Sequence, residues 1–219
     1  MRSIKALSFF LCFCISAFAE VKWDQKELEF KASVQDTNTV ARFTFTYTGK
    51  KPLTILSLKA SCSCTTITSD KDIYQDGESG TITANFAFGK RVGLQEKTVF
   101  VETDESRTSH SVMILNFKVF IPEPTSFQPS LVYWQQGEKV STKTITIRMA
   151  DGIPIHVLKI HSTSNCIQTE MVTVQDGKEY LLHITPVDTS KPSWSTILIE
   201  TDFPKEEPHS FQVYAQIKS

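Results

Sequence analysis

The chain has 219 residues, with 23 Lys and Arg against 24 Asp and Glu, a formal net charge of −1 and 40% hydrophobic residues. Lysines scattered among acids leave no basic stripe to follow a phosphate backbone, which excludes nucleic acid as a partner class. Beyond the first 19 residues, no apolar run reaches the roughly 20 residues a membrane-spanning helix needs, so the mature chain is expected to lack a transmembrane segment.

The chain opens "MRSIKALSFFLCFCISAFAE", with Arg2 and Lys5 ahead of an apolar run and small residues at Ala17 and Ala19. That is the layout of a secretory signal, assigned to residues 1–19, with a mature chain starting at Glu20. Export to the periplasm or beyond follows. The exported part keeps Cys62, Cys64 and Cys166, an odd number in a compartment that permits disulfides. At least one thiol then stays free, pairs between molecules or binds something.

From residue 41 the pattern is β-branched and aromatic alternation. "ARFTFTYT" (41–48) sets Phe43, Phe45 and Tyr47 on one face and threonines on the other. "GTITANFAF" (80–88), "KTVFVETD" (97–104) and "SVMILNFKVFI" (111–121) alternate likewise, with Gly49, Asp76-Gly77 and Asp104 as turn residues between runs. The stretch "PEPTSFQP" (122–129) carries three prolines, which cannot donate to a ladder, and is expected as a stiff linker. Strand-like runs resume at 143–149, 154–160, 170–174, 180–184, 195–202 and 210–217.

The second half echoes the first. "QDG" occurs at 75–77 and 175–177, and "ETD" at 102–104 and 200–202. Laying "KPLTILSLKASCSC" (51–64) over "IPIHVLKIHSTSNC" (153–166) matches Pro52 with Pro154, Leu56 with Leu158, Leu58 with Ile160 and Cys64 with Cys166. The fold class expected is all-β: two tandem immunoglobulin-like β-sandwich domains, residues 20–121 and 130–219, joined by the linker 122–129. Each is large enough to bury a two-sheet core, so no disulfide is needed for folding.

If the strand before them continues, Leu56, Leu58, Ala60, Cys62 and Cys64 share one core-facing row, as do Leu158, Ile160, Ser162, Ser164 and Cys166. In a regular strand, positions two apart have Cα atoms about 6.6 Å apart and parallel side chains, which forbids a bond between Cys62 and Cys64 unless the chain bends at Ser63. Two readings stay open: small residues closing a core edge, or a pair of thiolates for a soft copper or zinc ion or for redox chemistry. The metal residues of the second reading are Cys62 and Cys64. Of the histidines, only His110 lies in the first half, while His156, His161, His183 and His209 lie in the second.

No G-x-S-x-G, H-E-x-x-H or phosphate-loop motif occurs, so an enzyme is not expected. Trp23, Trp134 and Trp194 are expected in cores or at a domain interface, with sugar stacking as the alternative. The loops "GKRVGLQ" (89–95) and "DFPKEEPH" (202–209) are the candidate contact segments.

The order of motifs "FTFTYTGKKPLTILSLKASCSCT" and "GESGTITANFAFGKRVGLQEKTVFVETDE" resembles the bacterial exported Ig-like family called domain of unknown function 1573. Tyr47-Thr48-Gly49, Ser61-Cys62-Ser63-Cys64-Thr65, Asp76-Gly77, Gly93 and Thr103-Asp104 stand at its signature points. Ser63 replaces the family's glycine between the thiols, and Ser164 stands where the second half would have its first thiol. The resemblance covers about residues 21–121 and implies an adhesive or scaffolding Ig-type module, similar to domains of cilia and centrosome proteins, with no general catalytic role. The function expected is a non-catalytic binding or structural module of the cell envelope with a protein partner. The alternative is a thiol-dependent metal-binding or redox protein using Cys62 and Cys64.

Overall fold

A computed structural model describes residues 20–104, 111–204, 208 and 210–219. The proposed signal at 1–19, His110, His209 and part of the 202–209 loop lie outside the described residues. Within them every regular element is a β-strand.

Residues from the first half build two sheets. One has the order β1 (Glu20–Trp23), β3 (Asn38–Thr48), β7 (Ser79–Ala87), β5 (Thr65–Ser69). The other runs β2 (Glu27–Lys31), β9 (Ser111–Ile121), β8 (Gly93–Thr103), β4 (Leu53–Ala60), β6 (Ile73–Tyr74). The second half builds two more: β10 (Thr125–Gln128), β12 (Lys143–Met149), β15 (Glu179–Pro186), β14 (Ile167–Gln175); and β11 (Leu131–Gln135), β17 (Ser210–Lys218), β16 (Ser193–Thr201), β13 (Val157–Ser162). The two strand orders superimpose one for one, with β6 as the single addition in the first half.

By spatial proximity the chain divides into two compact units, which a single cut at 122–129 does not reproduce. Among the described residues, unit 1 takes 20–29, 40–87, 96–104 and 111–118, and unit 2 takes 30–39, 88–95, 119–204, 208 and 210–219. The stretch expected as a linker also contains a strand. Thr125–Gln128 pairs antiparallel with Met149–Thr146, while Pro122, Pro124 and Pro129 fall outside the paired residues. A short edge strand tolerates prolines at its margins because nothing there requires their missing N–H.

Unit 1 is built on alternation. Ala41, Phe43, Phe45 and Tyr47 of β3 are buried while the threonines between them face outward, and Ile82, Ala84 and Phe86 of β7 continue that inner face. Trp23 packs on Phe45 at 4.8 Å between ring centroids, and Phe45 meets Tyr74 edge-on at 4.9 Å. Each such ring contributes about 1.5–3 kcal/mol by leaving water. In unit 2 the core is largely β-branched: Ile145, Ile147, Ile184, Ile197 and Ile199 surround a fully buried Trp134. The indole Nε1 of Trp134 donates to the Ser141 carbonyl at 2.9 Å, satisfying its one polar atom.

The inward row expected through Leu56 and Leu158 is interrupted. The register slips between Ile55 and Ser57 opposite β8, and between Val157 and Lys159 opposite β16. Leu56 and Leu158 therefore sit in β-bulges, 43% and 64% exposed, and the inward row starts at Leu58 and Ile160. Trp23 and Trp134 are buried as expected, but Trp194 is 51% exposed on β16 and packs against Tyr214 at 5.4 Å.

Gly80 offers a test of the packing in unit 1. A Cβ at this position would fall inside the van der Waals envelopes of the Tyr74 and Phe45 rings. Gly80→Ala is expected to lower stability by about 1–3 kcal/mol, read as a lower urea midpoint at unchanged slope. An unchanged midpoint would mean that the rings move aside freely.

Candidate functional site

β4 ends at Ala60 and the chain crosses from one sheet of unit 1 to β5 in the other, so residues 61–64 form a turn. The turn is fixed by backbone bonds at both ends. Ser61 N–H donates to the Thr98 carbonyl (2.9 Å) and Thr98 N–H returns to Ser61 Oγ (3.1 Å). On the far side Ala87 N–H donates to the Cys64 carbonyl at 3.0 Å, and Thr65 N–H closes on the Cys62 carbonyl at 3.4 Å.

Here the extended-strand argument fails. The turn brings the Cα atoms of Cys62 and Cys64 to 5.3 Å and the two sulfurs are bonded as a disulfide. The bend at Ser63 uses ordinary backbone, since no non-glycine residue described has positive φ, so the family's glycine is not required for it. Both cysteines are half-buried, and the Thr65 hydroxyl lies 3.4 Å from Cys62 Sγ. Cys166 is free, one of the three outcomes that the odd count leaves open.

The bond also changes the metal reading. In a disulfide neither sulfur carries the thiolate charge that binds a soft ion, so copper or zinc at Cys62 and Cys64 is a proposal for the reduced protein alone. Among the described residues no group of three or more His, Cys, Asp or Glu side chains is placed to hold a metal ion.

Unit 2 repeats the turn with other side chains. Thr163 N–H donates to the Thr196 carbonyl (2.9 Å), and Thr196 N–H returns to Thr163 Oγ1 (3.0 Å). Val187 N–H donates to the Cys166 carbonyl at 2.9 Å. Ser164 stands in the place of Cys62, and its hydroxyl lies 2.6 Å from Cys166 Sγ. A serine–cysteine hydrogen bond thus occupies the position of the disulfide.

A second pair of equivalent positions lies beside the bulges. In unit 1 Thr54 N–H donates to Asp104 Oδ1 (2.6 Å) and Asp104 N–H to the Thr54 carbonyl (3.2 Å). In unit 2 His156 N–H donates to Asp202 Oδ1 (2.7 Å), and Asp202 N–H to the His156 carbonyl (3.1 Å). Unit 2 adds an imidazole to this clamp. His156 Nδ1 lies 2.7 Å from Asp202 Oδ2, and Nε2 lies 3.6 Å from Asp176 of the "QDG" turn. The hydrogen bond to Asp202 raises the His156 pKa above its ordinary value against the opposing pull of burial, helped by the charges of Asp202 and Asp176. Burial alone would push Asp202 up, but the bonds from the His156 ring and backbone outweigh it and hold the carboxyl below its usual range.

Of the candidate contact loops, 89–95 is described in full: Gly89 turns with φ 56°, and Arg91 Nη1 donates to the Phe88 carbonyl at 3.1 Å. In the other loop only 202–204 and 208 are described, and Asp202 belongs to the clamp. Asp202 and Asp176 are the functional-type residues that sequence reasoning did not single out. Their signal was the second copy of "QDG" and "ETD", read there only as a mark of repetition.

Mostly antiparallel sheets, with β11 and β17 paired in parallel, define an immunoglobulin-like β-sandwich protein. Residues 21–119 match the model of the family described as "Protein of unknown function (DUF1573)". Among solved structures the chain is similar to a protein of unknown function from Porphyromonas gingivalis W83, with 13% identity over 90% of this chain and 99% of that one, at a TM-score of 0.34. It is also similar to the periplasmic chaperone SfaE (12% identity, 91% and 100% covered, TM-score 0.37) and to protocadherin gamma C5 EC1-3 (12%, 92% and 68%, TM-score 0.35). These likenesses concern the fold alone. No curated protein matches the chain. Among the described residues no helix is long and apolar enough to cross a membrane.

The clamp predicts a pH dependence. A raised histidine stabilises the fold fully below the ordinary imidazole value of about 6.5, and that contribution is lost as pH rises through the higher folded value. Asp202, being lowered, contributes above its ordinary carboxylate value and loses this as pH falls through the folded one. His156→Thr, which installs the residue of the first repeat, should flatten the fall in urea midpoint between neutral and mildly alkaline pH. Equal slopes for both proteins would assign the pH dependence to other groups.

Proposed function

We propose that the chain is an exported, non-catalytic protein-binding module of the cell envelope that takes up an extended segment of its partner along the edge of β14. The observation that carries this reading is the state of that edge. Most strands ending a sheet here are blunted: β1 and β10 have four residues, β2, β5 and β11 have five, and β6 has two. β13 carries a bulge and Lys159. Shortness, bulges and lysines are the usual means of preventing a stray strand from pairing.

β14 has nine residues, and Ile167–Thr173 pairs with Pro186–Tyr180 in unbroken register before the slip at Gln175. Its one charged residue is Glu170. Val172 and Val174 are 39% and 55% exposed. A long, regular, nearly uncharged edge offers main-chain donors and acceptors to an added strand, and its side chains set which strand fits. Export is supported by the basic and apolar layout of residues 1–19. The absence of nucleophile, metal-protease and phosphate-loop motifs in the sequence supports a role without catalysis.

Immobilised protein should retain an envelope protein from the native host, and Val172→Lys, which places a charge on the edge, should weaken that retention at least tenfold with unchanged circular dichroism. Equal retention by both would move the contact off β14. No retained partner at all would remove the binding reading.

A further inference from the structure

We propose that the Cys62–Cys64 bond is a thiol–disulfide exchange site that accepts two electrons from a dithiol, with Cys64 as the sulfur attacked and Cys62 as the leaving thiolate. The repeat provides an internal control. The 61–64 turn and the 163–166 turn are anchored at matching points by hydrogen bonds to Thr98 and Ala87 in one and to Thr196 and Val187 in the other. Only the first contains a disulfide; in the second, hydroxyls take its place, with Ser162 Oγ donating to the Ser164 carbonyl at 2.7 Å and Cys166 N–H donating to Ser164 Oγ at 3.2 Å, and Cys166 stays free. The anchors at both ends of the turn therefore form with or without the cross-link.

The cross-link is not placed to stabilise the fold by shortening the unfolded chain either. That effect grows with the length of the loop closed, and a sequence separation of 2 closes nearly the shortest loop a disulfide can span. What remains is a bond that can be opened without loss of the anchors at either end of the turn. It sits in the crossover between sheets, both cysteines are half-buried, and neither belongs to the buried core. Access and a retained scaffold are what exchange requires.

The two sulfurs are not equivalent. Thr65 Oγ1 lies 3.4 Å from Cys62 Sγ, and a hydroxyl at this position can donate to a thiolate formed there. Charge developing on Cys62 as the bond breaks is thus met by a donor already in place, which favours Cys62 as leaving group. A donor thiolate attacks Cys64 Sγ, forming a mixed disulfide and releasing Cys62 as thiolate. The donor's second thiol, deprotonated, attacks the donor sulfur of the mixed disulfide, expels Cys64 and closes the donor's own disulfide. Two electrons pass to the protein, and the two protons lost by the donor end on Cys62 and Cys64.

This inference is independent of the β14 reading, and Val172→Lys should leave it untouched. The test treats the folded, oxidised protein with dithiothreitol or reduced glutathione at neutral pH, quenches with a maleimide and maps the labels. The tryptic peptide Ala60–Lys71 carries both cysteines, while Cys166 lies on a different peptide and reports labelling efficiency. Two labels on Ala60–Lys71 under native conditions, with unchanged circular dichroism, are expected. A bond that stays closed until urea unfolds the protein, or whose opening unfolds it, overturns the proposal. The direction is read from single variants: free Cys62 in Cys64→Ser should react with iodoacetamide at neutral pH several-fold faster than free Cys64 in Cys62→Ser, and Thr65→Val should remove the difference. Equal rates in the single variants would overturn the assignment of Cys62 as leaving group.

Discussion

A strand that packs one face on a core has its side-chain parity fixed by a period of two, and a single extra residue reverses that parity for everything downstream. In this protein the extra residue comes at Leu56 and again at Leu158. Each bulge turns a leucine out to solvent and returns Leu58 or Ile160 to the inner face opposite Val101 or Ile199. The parity so reset also decides where the chain leaves the sheet. Beside each bulge an aspartate, Asp104 or Asp202, exchanges hydrogen bonds with the backbone of Thr54 or His156. The bulge, the aspartate clamp and the crossover turn that follows behave as one device, built twice.

The hydrogen bonds that anchor the device recur in both units, including those to the Asp104 and Asp202 carboxylates and the Ser61 and Thr163 hydroxyls, so the other side chains are free to differ and concentrate the chemistry. At the turn, the cysteine pair of unit 1 is a serine and a cysteine in unit 2. At the clamp, Thr54 of unit 1 is a histidine between two carboxylates in unit 2. Unit 1 holds a bond that can exchange electrons, and unit 2 holds a group that can exchange a proton. Neither alteration disturbs a residue of the buried core.

Much of the β architecture was legible from alternation. Phe43, Phe45 and Tyr47 announce β3, and runs such as "SVMILNFKVFI" and "STILIETD" fall on β9 and β16. The parts that escaped have common physical causes. β1, β2, β6 and β10 are two to five residues long, too short to show a period, and β10 is further hidden by its flanking prolines. A bulge is invisible to a pattern argument because Leu56 and Leu158 are as apolar as the residues they displace. Alternation leaves the disulfide conditional on a bend at Ser63, because nothing in the row through Leu58 and Ala60 marks the strand's end at Ala60 and the spacing of a strand does not hold in the turn that follows. Trp194 defied its residue type, since a large aromatic on a solvated sheet face needs only a neighbour such as Tyr214 to lie against.

The magnitude of the cross-link explains why such a bond can exist in one unit and be absent from the other. Closing a loop of three residues restricts the unfolded chain by roughly 1.6 kcal/mol on the loop-entropy relation. That is no more than the burial of one large side chain, at about 1.5–3 kcal/mol. Unit 1 buries Phe43, Phe45, Tyr47, Tyr74, Phe86 and Phe117 among others, and unit 2 buries Trp134 with its shell of isoleucines. Against such cores the bond is a minor contributor to folding, so selection for stability alone would not distinguish Cys62 from the serine that replaces it in the repeat. Chemistry at the sulfurs is a requirement that would.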